Sequence, residues 1–379
     1  MKLIHISDLH LGKNLNGFSL LKDQEDILKK IMEIIRKESP DGVIVAGDVF
    51  DKSVPPVEAV ELFDDFLVQL VMYKLQVFVI SGNHDSPERI AYGGRIMETS
   101  GIHLSPVYNG NVMPVTLRDD YGEIKIYLLP FIKPTHVRRY FEEETIESYT
   151  DAIRVAIDHM NVDKTKRNIL VTHQFVTDAV RSESEDISVG GSDNVDAAVF
   201  EGFDYVALGH LHRAQNAGSN QIRYCGTPLK YSFSESADEK SVTVIEFAEK
   251  GNLRVRTIEL CPLRDMVKIR GSYEEVTARD FYAGTTYQED YVQITLTDEE
   301  DIPDVIGKLR SIYKNLMKIE YNNKRTRQNA EIACVSDVEK KSPFQIFSEF
   351  YEKQNNTEMT SEQAKFMQSL ITEVWEDEE

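Results

Sequence analysis

Gly42-Val43-Ile44-Val45-Ala46-Gly47-Asp48-Val49-Phe50-Asp51 is the stretch on which the reading of this chain turns. Its first five residues suit a strand in the middle of a sheet, apolar on both faces and covered on both sides. Gly47 lacks a side chain and permits a sharp exit, after which Asp48 and Asp51 stand at the strand's end. Four other stretches repeat this arrangement. Asp8-Leu9-His10 follows a strand pattern from Lys2 to Ser7, and Gly82-Asn83-His84-Asp85 follows Val77 to Ile80. Thr172-His173-Gln174 closes Ile169 to Thr172, and Gly209-His210-Leu211-His212 follows Tyr205 to Leu208. Five of the nine histidines lie in these stretches, a concentration that points to a hydrolytic metal centre.

Divalent cations such as Mn²⁺ accept carboxylate, amide oxygen and imidazole together. Asp48, with two carboxylate oxygens, is the natural ligand to share between two metals. Asn83 offers a neutral oxygen, and the histidines supply nitrogen. Asp51 is placed to orient a ligand or a metal-bound water. His84 directly follows Asn83, too close for both to face one metal, and suits protonating a leaving oxygen or holding a phosphate. Single Asp-x-His or Gly-His-x-His pairs are common without any metal; five stretches in order carry the inference. His5, inside the first strand, is expected to be a packed core histidine. His103, His136 and His159 have no such context and are expected at the surface or in structural roles.

The first two-thirds alternate strands and helices. Gln24 to Glu38 carries Ile27, Leu28, Ile31, Ile34 and Ile35 at helical spacing, and Val57 to Tyr73 carries Val60, Phe63, Leu67, Leu70 and Val71. Further strands are predicted at Ile124 to Leu129, Ile222 to Cys225, Val242 to Phe247 and Leu253 to Leu260, with a helix at Ile146 to Met160. The pattern suggests two stacked sheets with helices outside. A long loop is expected from Asp178 to Asp196. A boundary near Pro262 precedes a small strand–helix–strand–helix–strand unit: Val267 to Arg270, Tyr273 to Phe281, Tyr291 to Thr297, Ile302 to Tyr313 and Leu316 to Tyr321. Between Lys308 and Arg327 stand seven basic residues against one acid, which fits either a solvated helix face or nucleic-acid contact. Two amphipathic helices, Pro343 to Lys353 and Ser361 to Trp375, carry an apolar load heavy enough to favour binding another protein.

At 379 residues the chain can hold a full core plus smaller domains. No apolar run reaches the roughly 18–20 residues of a membrane span, and the first residues do not read as a signal peptide. Cys225, Cys261 and Cys334 show no paired spacing; all three are expected to be buried thiols in a reducing cytoplasm. The net charge of −21 argues against coating nucleic acid through bulk electrostatics, though not against an enzyme with a local positive field.

Asp8-x-His10, Gly47-Asp48-x-x-Asp51, Gly82-Asn83-His84-Asp85, His173 and Gly209-His210-x-His212 together resemble the ordered motif set of the calcineurin-like metallophosphoesterases. The resemblance implies an α/β, four-layer sandwich of two mixed sheets flanked by helices. It implies one metal on Asp8, His10, Asp48 and His212, a second on Asp48, Asn83, His173 and His210, and His84 as catalytic acid or phosphate clamp. Within the family, Val189-Gly190-Gly191-Ser192, Gly226-Thr227-Pro228 and Pro228 to Phe233 are similar to nuclease subunits that work with an SMC-like ATPase. That likeness is strong over residues 1 to 260 and rests on the order of parts beyond. It implies a nuclease domain at 1–262, an α+β DNA-capping domain at 263–335 and C-terminal helices at 336–379 that dock on the ATPase. It further implies two divalent ions, Mn²⁺ by expectation, a DNA substrate, and a homodimer within a heterotetramer. Lys308, Lys324, Arg325 and Arg327 are the candidate DNA contacts. Two rival readings are a phosphodiesterase or phosphatase for a small nucleotide or phosphoprotein, and a scaffold whose metal site is structural.

Overall fold

A computed structural model describes residues 1–177, 179–180 and 193–323, with 347–348, 351, 359–360 and 363–367 toward the C-terminus. The chain divides into two compact units, one of Met1–Ile269, Glu275–Ile294 and Asp304–Ile319, the other of Arg270–Glu274, Thr295–Pro303 and Glu320–Glu379. Every described candidate ligand, and Lys308, belongs to the first.

In chain order the principal elements are β1 (Lys2–Ile6), α1 (Leu21–Glu38), β2 (Gly42–Ala46), α2 (Val57–Met72), β3 (Gln76–Ile80), β4 (Ile102–Leu104), β5 (Val115–Asp119) and β6 (Gly122–Leu128). They continue with α3 (Tyr149–Asp158), β7 (Arg167–His173), β8 (Tyr205–Gly209), β9 (Gln215–Ala217), β10 (Ser219–Tyr224), β11 (Ser241–Phe247) and β12 (Leu253–Glu259). One six-stranded sheet runs β12-β11-β1-β2-β3-β4 and the other β9-β10-β8-β7-β6-β5. Both are mixed. β1 to β4 run parallel and β11 antiparallel to β1, while β6, β7, β8 and β10 run parallel and β5 is antiparallel to β6.

Alternation along the strands makes the layers. Ile44, Ala46, Phe78 and Ile80 of the first sheet meet Ile126, Ile169, Val171 and Ala207 of the second in a fully buried core between the sheets. Val43, Val45, Val77 and Val79, one position along, face Ile31, Ile35, Phe66 and Leu70 of α1 and α2. On the second sheet Leu170, Val206 and Leu208 pack with Ile153, Ala156 and Ile157 of α3. Each strand therefore buries both faces, as unbroken apolar runs require, and the expected four-layer sandwich is found. Three further strands, β13 (Met266–Gly271), β14 (Tyr291–Leu296) and β15 (Asn315–Tyr321), form a sheet in that order.

The differences from the sequence reading are local. The helix expected from Ile146 begins at Tyr149, because the Ser148 hydroxyl accepts from Asp151 N and the Asp151 carboxylate accepts from Ser148 N, a capping box. Strands β4, β5 and β9 have no counterpart in the sequence reading; β5 is an edge strand that alternates between half-buried and exposed. Cys225 is buried as expected, but Cys261 is exposed. It lies in the turn leaving β12, where the preceding Leu260 takes the inward position. Cys334, Gly190-Gly191-Ser192 of the expected long loop, and nearly all of the two expected C-terminal helices lie outside the described residues.

Candidate metal centre

The strand ends that carry the motifs lie together. The backbone ladder between β1 and β2 continues past both strands: Asp8 N donates to Gly47 O (3.0 Å), His10 N to Asp48 O (3.0 Å) and Leu11 N to Val49 O (2.9 Å). Keeping this ladder while turning side chains inward forces Asp8, His10 and Asp48 into the left-handed region, with φ of 53°, 43° and 49°. His210, across on the second sheet, has φ of 101°. Such residues cost on the order of 1–3 kcal/mol each and cluster at functional sites. Gly47 has φ of 89°, and a Cβ there would stand 2.5 Å from His173 Nδ1. At Gly209 a Cβ would meet the Ala46 carbonyl at 1.9 Å, so these two glycines let the sheets close at the site.

Asp48 is central. Its Oδ2 is 3.2 Å from His173 Nε2, 3.7 Å from His10 Nε2 and 3.9 Å from His84 Nε2, and Oδ1 accepts from His84 N at 2.9 Å. Asp8 accepts from His210 N with both oxygens, at 3.1 and 3.2 Å, tying the first sheet's loop to the second's. Asn83 Oδ1 stands 3.0 Å from His173 Nε2 and 3.1 Å from His210 Nδ1. Ligand atoms of Asp8, His10 and His212 lie within 4.8 Å of one another, as do those of Asp8, Asp48 and His173, and of His10, Asp48 and His84. All seven sequence-predicted ligands therefore converge, with His84 at the half-buried rim.

This donor set fits divalent cations. Both His10 ring nitrogens are buried without a hydrogen-bond partner, a state buried polar atoms rarely hold. A cation facing Asp48 would satisfy one of them. His173 Nδ1 donates to the Ala46 carbonyl at 2.8 Å, which aims Nε2 at Asp48 and Asn83. Burial alone would lower the proton affinity of His173, yet the Asp48 and Asp8 carboxylates outweigh it and raise its pKa to about 9. Burial and the Asp48 charge hold Asp8 up at about 6, despite His173. Asp48 is the reverse, held well below the carboxylate range by His173 and other imidazoles against the burial that would raise it.

A surrounding shell fixes these groups. Asp51 Oδ1 lies 3.7 Å from His10 Nδ1 and accepts from Lys13 Nζ at 2.6 Å. Sequence reasoning gave no role to four residues seen here. Asp85, the last residue of the Gly82 motif, accepts from Val49 N, Phe50 N and Gly82 N at 3.1, 2.9 and 3.0 Å, and so anchors two ligand loops. Gln24 at the start of α1 donates to the His10 carbonyl at 2.7 Å. Glu235 and Lys240 stand behind His212; burial would push the Glu235 carboxyl up, but His212 and Lys240 hold it well below its usual range. Only the Asp85 role had a local signal, its place within the motif. Lys308 is exposed on the short helix Val305–Arg310, away from these clusters in sequence, and Lys324, Arg325 and Arg327 lie outside the described residues. His5 is wholly buried against Tyr205, a core histidine as expected.

A family model for calcineurin-like phosphoesterases matches residues 1–214. The chain belongs to that family and is a metal-dependent phosphoester hydrolase. A second model, described as the type 5 capsule protein repressor C-terminal domain, matches residues 262–355. Two relatives that match along their full length share one name, that of the SbcD component of the nuclease SbcCD. The protein of Staphylococcus saprophyticus is 32% identical over 386 residues, covering 100% of this chain and 99% of the relative. That of Staphylococcus epidermidis is 31% identical over 376 residues, covering 98% of each. Among solved structures, a dimetal phosphatase from Danio rerio is 9% identical with a TM-score of 0.40, covering 69% of this chain and 96% of its own. A Thermus thermophilus protein is 12% identical with a TM-score of 0.39, covering 68% and 98%. No described helix is long and apolar enough to cross a membrane.

Proposed function

We propose that this chain is a two-metal DNA nuclease subunit that hydrolyses phosphodiester bonds together with an SbcC-type, SMC-like ATPase. The observation that carries the reading is the convergence on one carboxylate, Asp48, of imidazoles from both sheets, in a chain similar along its whole length to proteins named as nuclease components. In this reading Asp8, His10, Asp48 and His212 hold one cation, and Asp48, Asn83, His173 and His210 hold the other, with Mn²⁺ the expected ion. Divalent cations bound there supply Lewis-acid stabilisation of charge on the phosphoryl oxygens.

The chain's own groups do the rest. Asp8 and Asp48 offset the cations' charge in a buried site. His84 Nδ1 faces the Asp51 carbonyl at 3.2 Å, an acceptor only, so this nitrogen carries a proton and Nε2 is left to exchange one with the leaving oxygen. Asp51, 3.7 Å from His10 Nδ1, adds negative charge behind that ring. The activities proposed are exonuclease on duplex ends and endonuclease on single strands and hairpins. Lys308, with Lys324, Arg325 and Arg327, contacts the DNA backbone, and residues 336–379 bind the ATPase. The domain boundaries after 262 and 335, a homodimer within a heterotetramer, and a cytoplasmic location complete the proposal.

The test is Mn²⁺-dependent cleavage of a labelled duplex and a hairpin by the chain with its ATPase, beside Asp48→Ala and His84→Gln. Cleavage lost in both variants is expected. Intact DNA with the ATPase present, together with turnover of a small phosphodiester, would move the activity to a small substrate instead.

A further inference from the structure

Three buried groups stand in line behind His212. Its Nδ1 lies 3.5 Å from Glu235 Oε1, and the other Glu235 oxygen accepts from Lys240 Nζ at 2.6 Å. Lys240 Nζ also donates to the His212 carbonyl and to Thr227 Oγ1, both at 2.8 Å. Glu235 has no exposed surface and Lys240 retains 5%. Burying an ion pair of this kind is often no better for stability than an apolar pair of the same size. Its position supplies a reason for its presence, since it reaches His212 and also Thr227, whose N donates to the His212 carbonyl at 3.1 Å.

Behind His10 a carboxylate stands farther off: Asp51 Oδ1 is 3.7 Å from Nδ1, beyond hydrogen-bond reach, and Lys13 Nζ holds Asp51 at 2.6 Å. His173 differs, for its Nδ1 meets a neutral backbone carbonyl, Ala46 O. A carboxylate behind an imidazole fixes the tautomer, leaves Nε2 as the ligand atom and strengthens it as a donor.

Resting on the two-metal reading above, we infer that Glu235 and Lys240 are positioning residues for His212, and that the position formed by Asp8, His10 and His212 is the tighter of the two. Glu235 orients the ring from behind; Lys240 pins Glu235 and, through the His212 carbonyl, the backbone of the same residue. Neither touches substrate.

The experiment is calorimetric titration of Mn²⁺ into the full-length chain, with melting temperatures of the metal-free proteins measured in parallel. Wild type is expected to bind two ions with unequal affinity. Glu235→Gln, which keeps the volume, is expected to weaken the tighter step about 10–100-fold and leave the weaker one unchanged. Lys240→Met should weaken the same step; if that variant does not fold, Glu235→Gln decides alone. Unchanged affinities in a Glu235→Gln protein with a lowered melting temperature would make the pair structural only and overturn the inference, with the two-metal reading intact. Weakening confined to the other step would overturn the assignment equally. A wild-type chain that binds no Mn²⁺ would overturn the inference and the metal reading together.

Discussion

The first sheet supplies the candidate metal centre with both carboxylates, the amide, two imidazoles and most of the strain; the second supplies imidazoles alone. Asp8, His10, Asp48, Asn83 and His84 leave β1, β2 and β3, while His173, His210 and His212 come from β7 and β8. Three ligand candidates on the first side hold positive φ, against one on the second. Negative charge is thus gathered in one paired loop ladder, and further imidazoles are brought to it by packing the sheets face to face. Activity should therefore depend separately on the loops and on the contact between the sheets.

The largest effect is expected from removing the carboxylate proposed to be shared. Asp48→Ala should abolish hydrolysis and the binding of both ions, whereas His173→Ala on the opposite sheet should cost one ion, as counted by calorimetry. Equal losses from both would erase the distinction between the sheets. His84→Gln should lower turnover by about 10²–10⁴-fold while both ions still bind, since the general-acid role proposed for His84 acts on the reaction and not on the cation.

Much of this was legible in the sequence for a physical reason. Runs such as Gly42–Ala46 are apolar throughout because both faces are buried, and the strand matches its reading residue for residue. Ligands at strand ends are equally visible, because chemistry fixes both the residue type and its place after an apolar run. Long-range pairing is what escaped. Glu235 and Lys240 carry no local pattern, and only the fold brings them behind His212. β5 escaped because an edge strand needs apolar residues on one face at most.

The contact between the sheets gives the next effects. Ile44 is fully buried between them, so Ile44→Ala should destabilise the fold by about 2–5 kcal/mol, measured by denaturant unfolding. At the opposite strand ends from the metal centre, Asp119 of β5 pairs with Arg167 of β7 and with the Met1 amine, and Arg167 Nη1 donates to Phe247 O at 3.3 Å, on the first sheet. The Arg167 hydrogen bond holds the Asp119 carboxyl well below its usual range. A carboxyl lowered on folding contributes stability above its unfolded pKa, near 4, that is lost as pH falls toward the folded value. Asp119→Asn should therefore lower the melting temperature at pH 7, with the difference from wild type shrinking below about pH 4. A difference independent of pH would remove the ion pair from the account of how the sheets are held.

The most direct measurement is anomalous diffraction from crystals grown with Mn²⁺. Two peaks are predicted, one contacting Asp8, His10 and His212, the other Asn83, His173 and His210, with Asp48 touching both. A single peak, or two that do not share Asp48, would contradict a centre assembled from both sheets around one carboxylate.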